Sequence, residues 1–271
     1  EGGLDRINLT VGAGECVLLC GRSGCGKTTL TRLVNGVIPG FYRGEFSGSV
    51  RIDGREGFKT PMFELAKRVG SVFQNPRTQF FSVDTDSEIV FGLENEGLAR
   101  PELRERLERT SRDLQLAPLR GRSIFELSGG EKQKIAFASV YAMNPDVFVL
   151  DEPSSNLDLR SIYELRERLR RVKAQGKTIL IAEHRLFYLL DLADRIVYLD
   201  QGKIRSIFSP SAFRALSAEA RAEKGLRAVD LSEEGPAAVP QDTGTGSGEK
   251  AALTLRGVGV SFQDRPLLDR I

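Results

Sequence analysis

Short, wholly apolar runs alternate along this chain with stretches in which leucine recurs every three or four residues among charges. Cys16-Val17-Leu18-Leu19-Cys20 is apolar throughout and stops at Gly21. A run this short, closed by glycine, reads as a buried strand. Residues 178–182 (TILIA) and 195–199 (RIVYL) repeat the pattern, the latter turned by Asp200-Gln201-Gly202-Lys203. Residues 147–150 (VFVL) form a fourth run, ending in Asp151-Glu152. Residues 47–54 (SGSVRIDG) read as an edge strand and a tight turn. From Thr29 the segment TLTRLVNGV predicts a helix, and residues 101–116 and 161–174 place leucine at helical spacing among charges. Strands alternating with helices imply an α/β fold with a mostly parallel sheet flanked by helices.

The pattern breaks down near residue 209. Residues 209–250 end in GPAAVPQDTGTGSGEK and read as a flexible linker. Beyond it, Leu4-Asp5-Arg6-Ile7 recurs as Leu268-Asp269-Arg270-Ile271. The first copy leads into a strand, and the chain stops at the second. Both ends thus read as cut, and the parent protein as two similar domains in tandem. Residues 1–208 would be the first domain and 251–271 the opening strands of the second.

Composition narrows the choice. The chain has 271 residues, is 40% apolar, and carries 39 basic against 37 acidic residues, a net charge of +2. That near balance does not favour a nucleic-acid partner. The three cysteines, Cys16, Cys20 and Cys25, cluster in one element, a poor disulfide framework that fits a reducing cytosol. No apolar run approaches the ~20 residues that span a bilayer, so a membrane role is expected to be peripheral.

The candidate chemistry begins directly after the first strand. GRSGCGKT, residues 21–28, matches the phosphate-loop pattern. Gly21, Gly24 and Gly26 let the backbone curl, so that N–H groups from Gly21 through Arg22, Ser23, Gly24, Cys25 and Gly26 can face phosphates. The following helix adds its positive end. Lys27 is placed for the terminal phosphates, the Thr28 hydroxyl for Mg²⁺ and Thr29 for the first phosphate; Cys25 reads as a small filler. Asp151 and Glu152 close a strand, where one carboxylate can hold Mg²⁺ and the next can polarise an attacking water.

A further string, LSGGEKQ at residues 127–133, stands just ahead of the strand that ends in Asp151-Glu152. Phosphate loop, LSGGEKQ and VFVLDE in this order resemble the ATPase domain of ATP-binding cassette (ABC) proteins, over roughly residues 1–208. The resemblance implies a P-loop NTPase core, an antiparallel β edge subdomain and an inserted α-helical subdomain at about 75–130. It also implies ATP and Mg²⁺ as cofactors. By the same resemblance Glu152 is the catalytic carboxylate, Gln74 contacts Mg²⁺ and the attacking water, and His184, the only histidine, is the switch residue at the γ-phosphate. Ser128, Gly129, Gly130 and Glu131 would close over the ATP of an opposite ABC domain, with Ser155, Asn156, Leu157 and Asp158 lying across that interface. The family stacks adenine on an aromatic ahead of its first strands. Residues 1–15 hold none, while Phe262 occupies the corresponding place in the second copy.

Within the family, residues 74–98 (QNPRTQFFSVDTDSEIVFGLENEGL) look like the ATPases of energy-coupling-factor importers, which take up vitamins and transition-metal ions in prokaryotes. Arg77 departs from the acidic residue often found there. IAEHRL and the tandem layout resemble the fused ATPase subunits of that group. The expected partners are a second ABC ATPase domain and integral membrane subunits, at the cytoplasmic face of a prokaryotic membrane. At least one of Phe80 and Phe81 would line a groove for a partner helix, with Asp84, Asp86 and Glu88 receiving its basic residues. Two alternatives are another ABC importer, for example for sugar, and a soluble tandem ATPase acting on ribosomes or nucleic acid. The acidic-to-neutral linker argues against the second.

Overall fold

A computed structural model describes residues 3–42, 44–230, 260–262 and 265–268. It divides into two units, Glu1–Glu233 and Glu234–Ile271. The first is built on strands β1 (Cys16–Cys20), β2 (Arg51–Ile52), β3 (Arg55–Glu56), β4 (Val69–Val72), β5 (Val147–Asp151), β6 (Thr178–Ala182), β7 (Arg195–Asp200) and β8 (Lys203–Phe208). Six of these make one sheet in the order β4-β5-β6-β1-β7-β8. All neighbours run parallel except β8, which returns antiparallel from β7 through the expected turn.

β1 lies inside the sheet, with Leu18 opposite Ile181 on one side and Ile196 on the other. Its alternate residues feed two cores. Cys16, Leu18 and Cys20 join one apolar cluster, and Val17 and Leu19 join the other. A parallel sheet covered on both faces needs apolar residues at every position, which is why its strands read as unbroken runs. Burial pushes the Cys16 and Cys20 thiols up to about 12, so both are inert packing groups. β8, at the sheet edge, alternates between exposed and half-buried residues.

The helices of the first unit are α1 (Lys27–Val34), α2 (Val37–Gly40), α3 (Met62–Ala66), α4 (Thr85–Asn95), α5 (Arg100–Asp113), α6 (Gly129–Met143), α7 (Leu159–Ala174), α8 (Pro210–Arg214) and α9 (Ala218–Glu223). α7 shows the expected periodicity: it buries Ile162, Leu165, Leu169 and Val172, and Asp158 caps its start by accepting from Ser161 N at 2.7 Å. α4 and α5 pack with α6 as a helical layer inserted between β4 and β5. α6 is buried nearly all round, because it touches both that layer and the sheet. β2 and β3 form a separate two-stranded ribbon, turned at Asp53 (φ 49°) and Gly54 (φ 73°). Positive φ at both turn residues matches the twist of a tight hairpin.

One expectation fails here. Residues 210–223, assigned to the flexible linker, instead form α8 and α9. Ser209 and Ser217 cap them, and Phe213 is completely buried against the main core. The polar composition hid one apolar anchor and two serine caps, enough to order two short helices. The Gly-, Pro- and Thr-rich stretch from 231 on lies outside the described residues, as does the repeat at Asp269-Arg270-Ile271. In the second unit Val260–Phe262 pairs antiparallel with Arg265–Leu268.

Candidate functional site

Because β1, β5 and β6 run parallel, their C-terminal ends share one edge of the sheet. This brings Gly21, Asp151-Glu152 and Glu183-His184 together, although 130 or more residues separate the first from the others. Ligands of open parallel sheets bind beyond such an edge. The loop after β1 turns through Gly21 (φ 143°), Gly24 (φ 77°) and Gly26 (φ 108°). A Cβ on Gly21 would sit 2.2 Å from Leu199 O, so glycine is required there on two counts. Lys27 opens α1 and folds back across the loop, donating to Gly21 O at 3.0 Å and Arg22 O at 3.1 Å. Its ammonium thus lies inside a curl of backbone. The Arg22 side chain points elsewhere, donating to Glu223 O at 2.7 Å.

Thr28 Oγ1 donates to Asp151 Oδ1 at 3.0 Å, joining α1 to the end of β5. Burial pushes the Asp151 carboxyl above its ordinary range; the Thr28 bond opposes that shift, and the neighbouring Glu152 charge adds to it. A hydroxyl and a carboxylate so placed are hard oxygen donors, and Mg²⁺ is commonly held by one or two carboxylates together with substrate phosphates. The donor set therefore fits Mg²⁺.

Glu152 stands in the left-handed region (φ 45°), its N–H donating to Ala182 O at 2.8 Å. Non-glycine residues held there carry local strain that gathers at functional sites. Its carboxylate is gripped from both sides. Gln74 Nε2 donates to Oε2 at 2.9 Å, and His184 Nε2 lies 3.0 Å from Oε1. Burial first, then the Lys27 charge, hold the His184 imidazole below its ordinary basicity, against the pull of Glu152 and Glu183. Both effects favour the neutral ring. Since a carboxylate only accepts, Nε2 carries the proton. Three residues chosen from separate parts of the sequence thus form one hydrogen-bonded cluster.

The LSGGEKQ residues lie apart from the phosphate loop, and no hydrogen bond joins the two among the described residues. Ser128 and Glu131 form a reciprocal capping box at the start of α6: Ser128 Oγ accepts from Glu131 N at 3.3 Å, and Glu131 Oε2 accepts from Ser128 N at 2.8 Å. Gly130 faces the start of α7, where a Cβ would come within 2.8 Å of Ser161 Oγ. Ser155, Asn156 and Leu157 line a cavity of about 420 Å³ with Gly129, Lys132 and Gln74. The signature string and the expected interface loop therefore adjoin each other.

Glu183 directly follows β6 and precedes His184. It is 2% exposed and accepts four bonds, from Ser154 N, His184 N, Arg185 N and Tyr188 Oη. It is the post on which the His184 loop is hung. An acidic residue inside an otherwise apolar strand end was the available signal.

The expected docking carboxylates are corrected. Asp84 caps α4 through Ser87 N, Asp86 accepts from Arg120 and from Gly121 N, and Glu88, 2% exposed, accepts from Phe81 N and Ser82 N. All three satisfy local donors that would otherwise be left unpaired at a helix start or a bend. The two phenylalanines also part: Phe80 packs against the main core, whereas Phe81 is 73% exposed and stacks on Phe91 with ring centroids 4.9 Å apart. Phe81 and Phe91 line an apolar cavity of about 250 Å³ with Val37, Met62 and Met143, between the sheet and the helical layer.

Comparison with known proteins follows the same geometry. The family model described as "ABC transporter" matches residues 4–155. A putative ABC transporter ATP-binding protein of Treponema denticola is 63% identical over 204 residues, 75% of this chain and 42% of that protein. One of Methanosarcina mazei, with the same description, is 43% identical over 74% of this chain and 34% of its own length. The chain thus spans less than half the length of these curated relatives. Among solved structures, cbiO1 from Clostridium perfringens, described as part of the ABC transporter complex cbiONQ, superposes with a TM-score of 0.71 at 28% identity, covering 82% of this chain and 87% of that one. The ATP-binding cassette MJ0796, at 24% identity and a TM-score of 0.67, shares the fold.

Proposed function

The chain belongs to the ABC transporter family, and from that premise we propose that it binds and hydrolyses ATP to energise a membrane importer of the energy-coupling-factor type, for a vitamin or a transition-metal ion. The observation that carries the hydrolytic reading is the Gln74–Glu152–His184 cluster at the strand ends, beside the phosphate loop. Likeness to cbiO1 and the QNPRTQFF segment support the importer type.

In this reading the loop N–H groups and Lys27 hold the phosphates, and Thr29 bonds the first phosphate. Thr28 and Asp151, with Gln74, would hold Mg²⁺, which would supply neutralising charge at the outer phosphates. Glu152 orients and polarises the attacking water. Gln74 and His184 fix its carboxylate in the strained backbone position; the single Nε2 proton of the neutral imidazole, which faces Glu152 before nucleotide binds, would turn to the γ-phosphate edge once that phosphate is present. Ser128, Gly129, Gly130 and Glu131 present a helix N-terminus to the ATP of a second ABC domain, with Ser155, Asn156, Leu157 and Asp158 at the shared interface. The protein would sit peripherally at the cytoplasmic face of a prokaryotic membrane, and no helix among the described residues is long and apolar enough to cross one. The apolar cavity at Phe81 and Phe91 is the proposed seat for a helix of an integral membrane subunit.

Glu152→Gln in the full-length parent should keep ATP binding and lower the hydrolysis rate by about 10²- to 10⁴-fold, the range for loss of a general base. Equal rates would remove Glu152 from its role. For the importer type, Phe81→Ala should abolish co-purification with membrane subunits while ATP binding persists. Unchanged co-purification would place the docking surface elsewhere.

A further inference from the structure

Residues 217–230 lie beyond the stretch matched by the family model and close onto the phosphate loop. Several contacts seat them. Arg22 donates to Glu223 O at 2.7 Å, and Tyr198 Oη donates to Lys224 O at 3.3 Å. The Lys224 ammonium stands 5.7 Å from the centroid of the Tyr198 ring. The chain then turns at Gly225 (φ 64°), where a Cβ would lie 2.5 Å from Arg22 Cγ. Leu226 and Val229 pack against the core cluster that contains Leu186 and Tyr188, the residues following His184. The segment therefore runs from the phosphate loop across the main core.

Leu226 and Val229 face inward, which leaves Arg227 exposed between them. Among the described residues Arg227 makes no hydrogen bond or ion pair, although 37 acidic residues are present in the chain. It nevertheless stands near enough to His184 for its charge to act on the imidazole, in the same sense as the Lys27 ammonium. Two cations that both act on one histidine disfavour its protonated form. The arrangement is favourable when an anion lies among them, and the edge in question is where a terminal phosphate belongs.

We propose that residues 217–230 form a strap that carries Arg227 to the terminal phosphate of the nucleotide bound at this chain's own phosphate loop. Lys27 and Arg227 then hold that phosphate from two sides, and Arg227 is a determinant of selectivity for ATP over ADP. The inference rests on nucleotide binding at the phosphate loop and not on the importer reading.

The test is equilibrium titration of the full chain with Mg-ATP and with Mg-ADP. Wild type would be compared with Arg227→Ala, Arg227→Lys and Gly225→Val, and with Lys27→Ala as the reference for loop binding. Arg227→Ala should weaken ATP binding about ten- to hundredfold, as for one charge-assisted bond, and ADP binding less than about twofold. Arg227→Lys should restore most of the ATP affinity. Gly225→Val, which drives the strap off Arg22, should repeat the ATP-selective loss. Arg227 is exposed, so its variants should fold even where Gly225→Val does not. Equal losses for ATP and ADP, or an unchanged ATP affinity in Arg227→Ala, would overturn the strap. A wild-type chain that bound neither nucleotide would overturn the phosphate-loop reading and the strap with it.

Discussion

Replacing Glu183 by glutamine should both destabilise this domain and slow its chemistry. Glu183 Oε1 accepts from His184 N at 2.7 Å and Arg185 N at 3.1 Å; Oε2 accepts from Ser154 N at 3.2 Å and Tyr188 Oη at 3.0 Å. A glutamine keeps one oxygen, which the two shorter-spaced backbone donors would claim. Its NH₂ then meets Ser154 N, a donor that cannot turn away, and Tyr188, whose hydroxyl can rotate to accept. One buried N–H is left unpaired, and the surviving bonds lose their charge. With about 1.5–3 kcal/mol for a bond to a charged group and about 1 for a neutral one, the loss comes to about 3 kcal/mol. For a domain of this size that lowers the melting temperature by about 6–12 °C. Tyr188→Phe removes one of the competing groups, so the double variant should fall short of additivity by about 1 kcal/mol. Because Glu183 fixes the backbone of His184, kcat should drop more than KM rises. The assays are thermal melts and steady-state hydrolysis on the same preparations. A Glu183→Gln protein melting within about 2 °C of wild type would refute the claim that this carboxylate supports the histidine loop.

Phe80→Ala should cost about 2 kcal/mol in urea unfolding, as loss of a partly buried aromatic, whereas Phe81→Ala should stay within about 0.5 kcal/mol of wild type; the reverse ranking would invalidate their separation into core and surface. Asp86→Ala should lower stability by about 1–2 kcal/mol through loss of its bonds to Arg120 and Gly121 N, and leave association with membrane subunits intact once the protein is folded. A pH dependence follows from Glu15, whose carboxyl is held below its usual value of 4.5 by its hydrogen bond to Arg195, against burial and with help from Gly12 N. A depressed folded value means the stabilisation is complete above about pH 4.5 and disappears as pH falls through the folded value. The stability gap between wild type and Glu15→Gln should therefore be constant from pH 7 to 5 and shrink at pH 3; equal gaps at pH 7 and pH 3 would count against the ion pair.

What the sequence determined alone is whatever depends on neighbours within a few residues. The apolar runs marked β1, β5, β6 and β7, because a strand buried on both faces tolerates few polar positions. Leucine spacing marked α7, because its buried stripe repeats with the helical turn. Glycines at 21, 24 and 26 followed by Lys27-Thr28 marked the phosphate loop, because only that local backbone curls so tightly. Gln74 and His184 were legible only through their order relative to those strings. Tertiary structure decided what distant segments do to one another. Gln74 meets Glu152 across 78 positions, and Arg22 meets Glu223 across 201. Nothing in FFSVDTDSE tells which phenylalanine turns inward, or that all three acids are consumed by helix and bend donors. Nothing near Glu183 announces that Ser154 will be folded onto it. Nor does the polar run after Phe208 disclose that Phe213 and Leu226 anchor it to the core. Each of these outcomes is set by which unpaired donors and which uncovered apolar faces the folded sheet brings alongside, and that exists only once the strands have assembled.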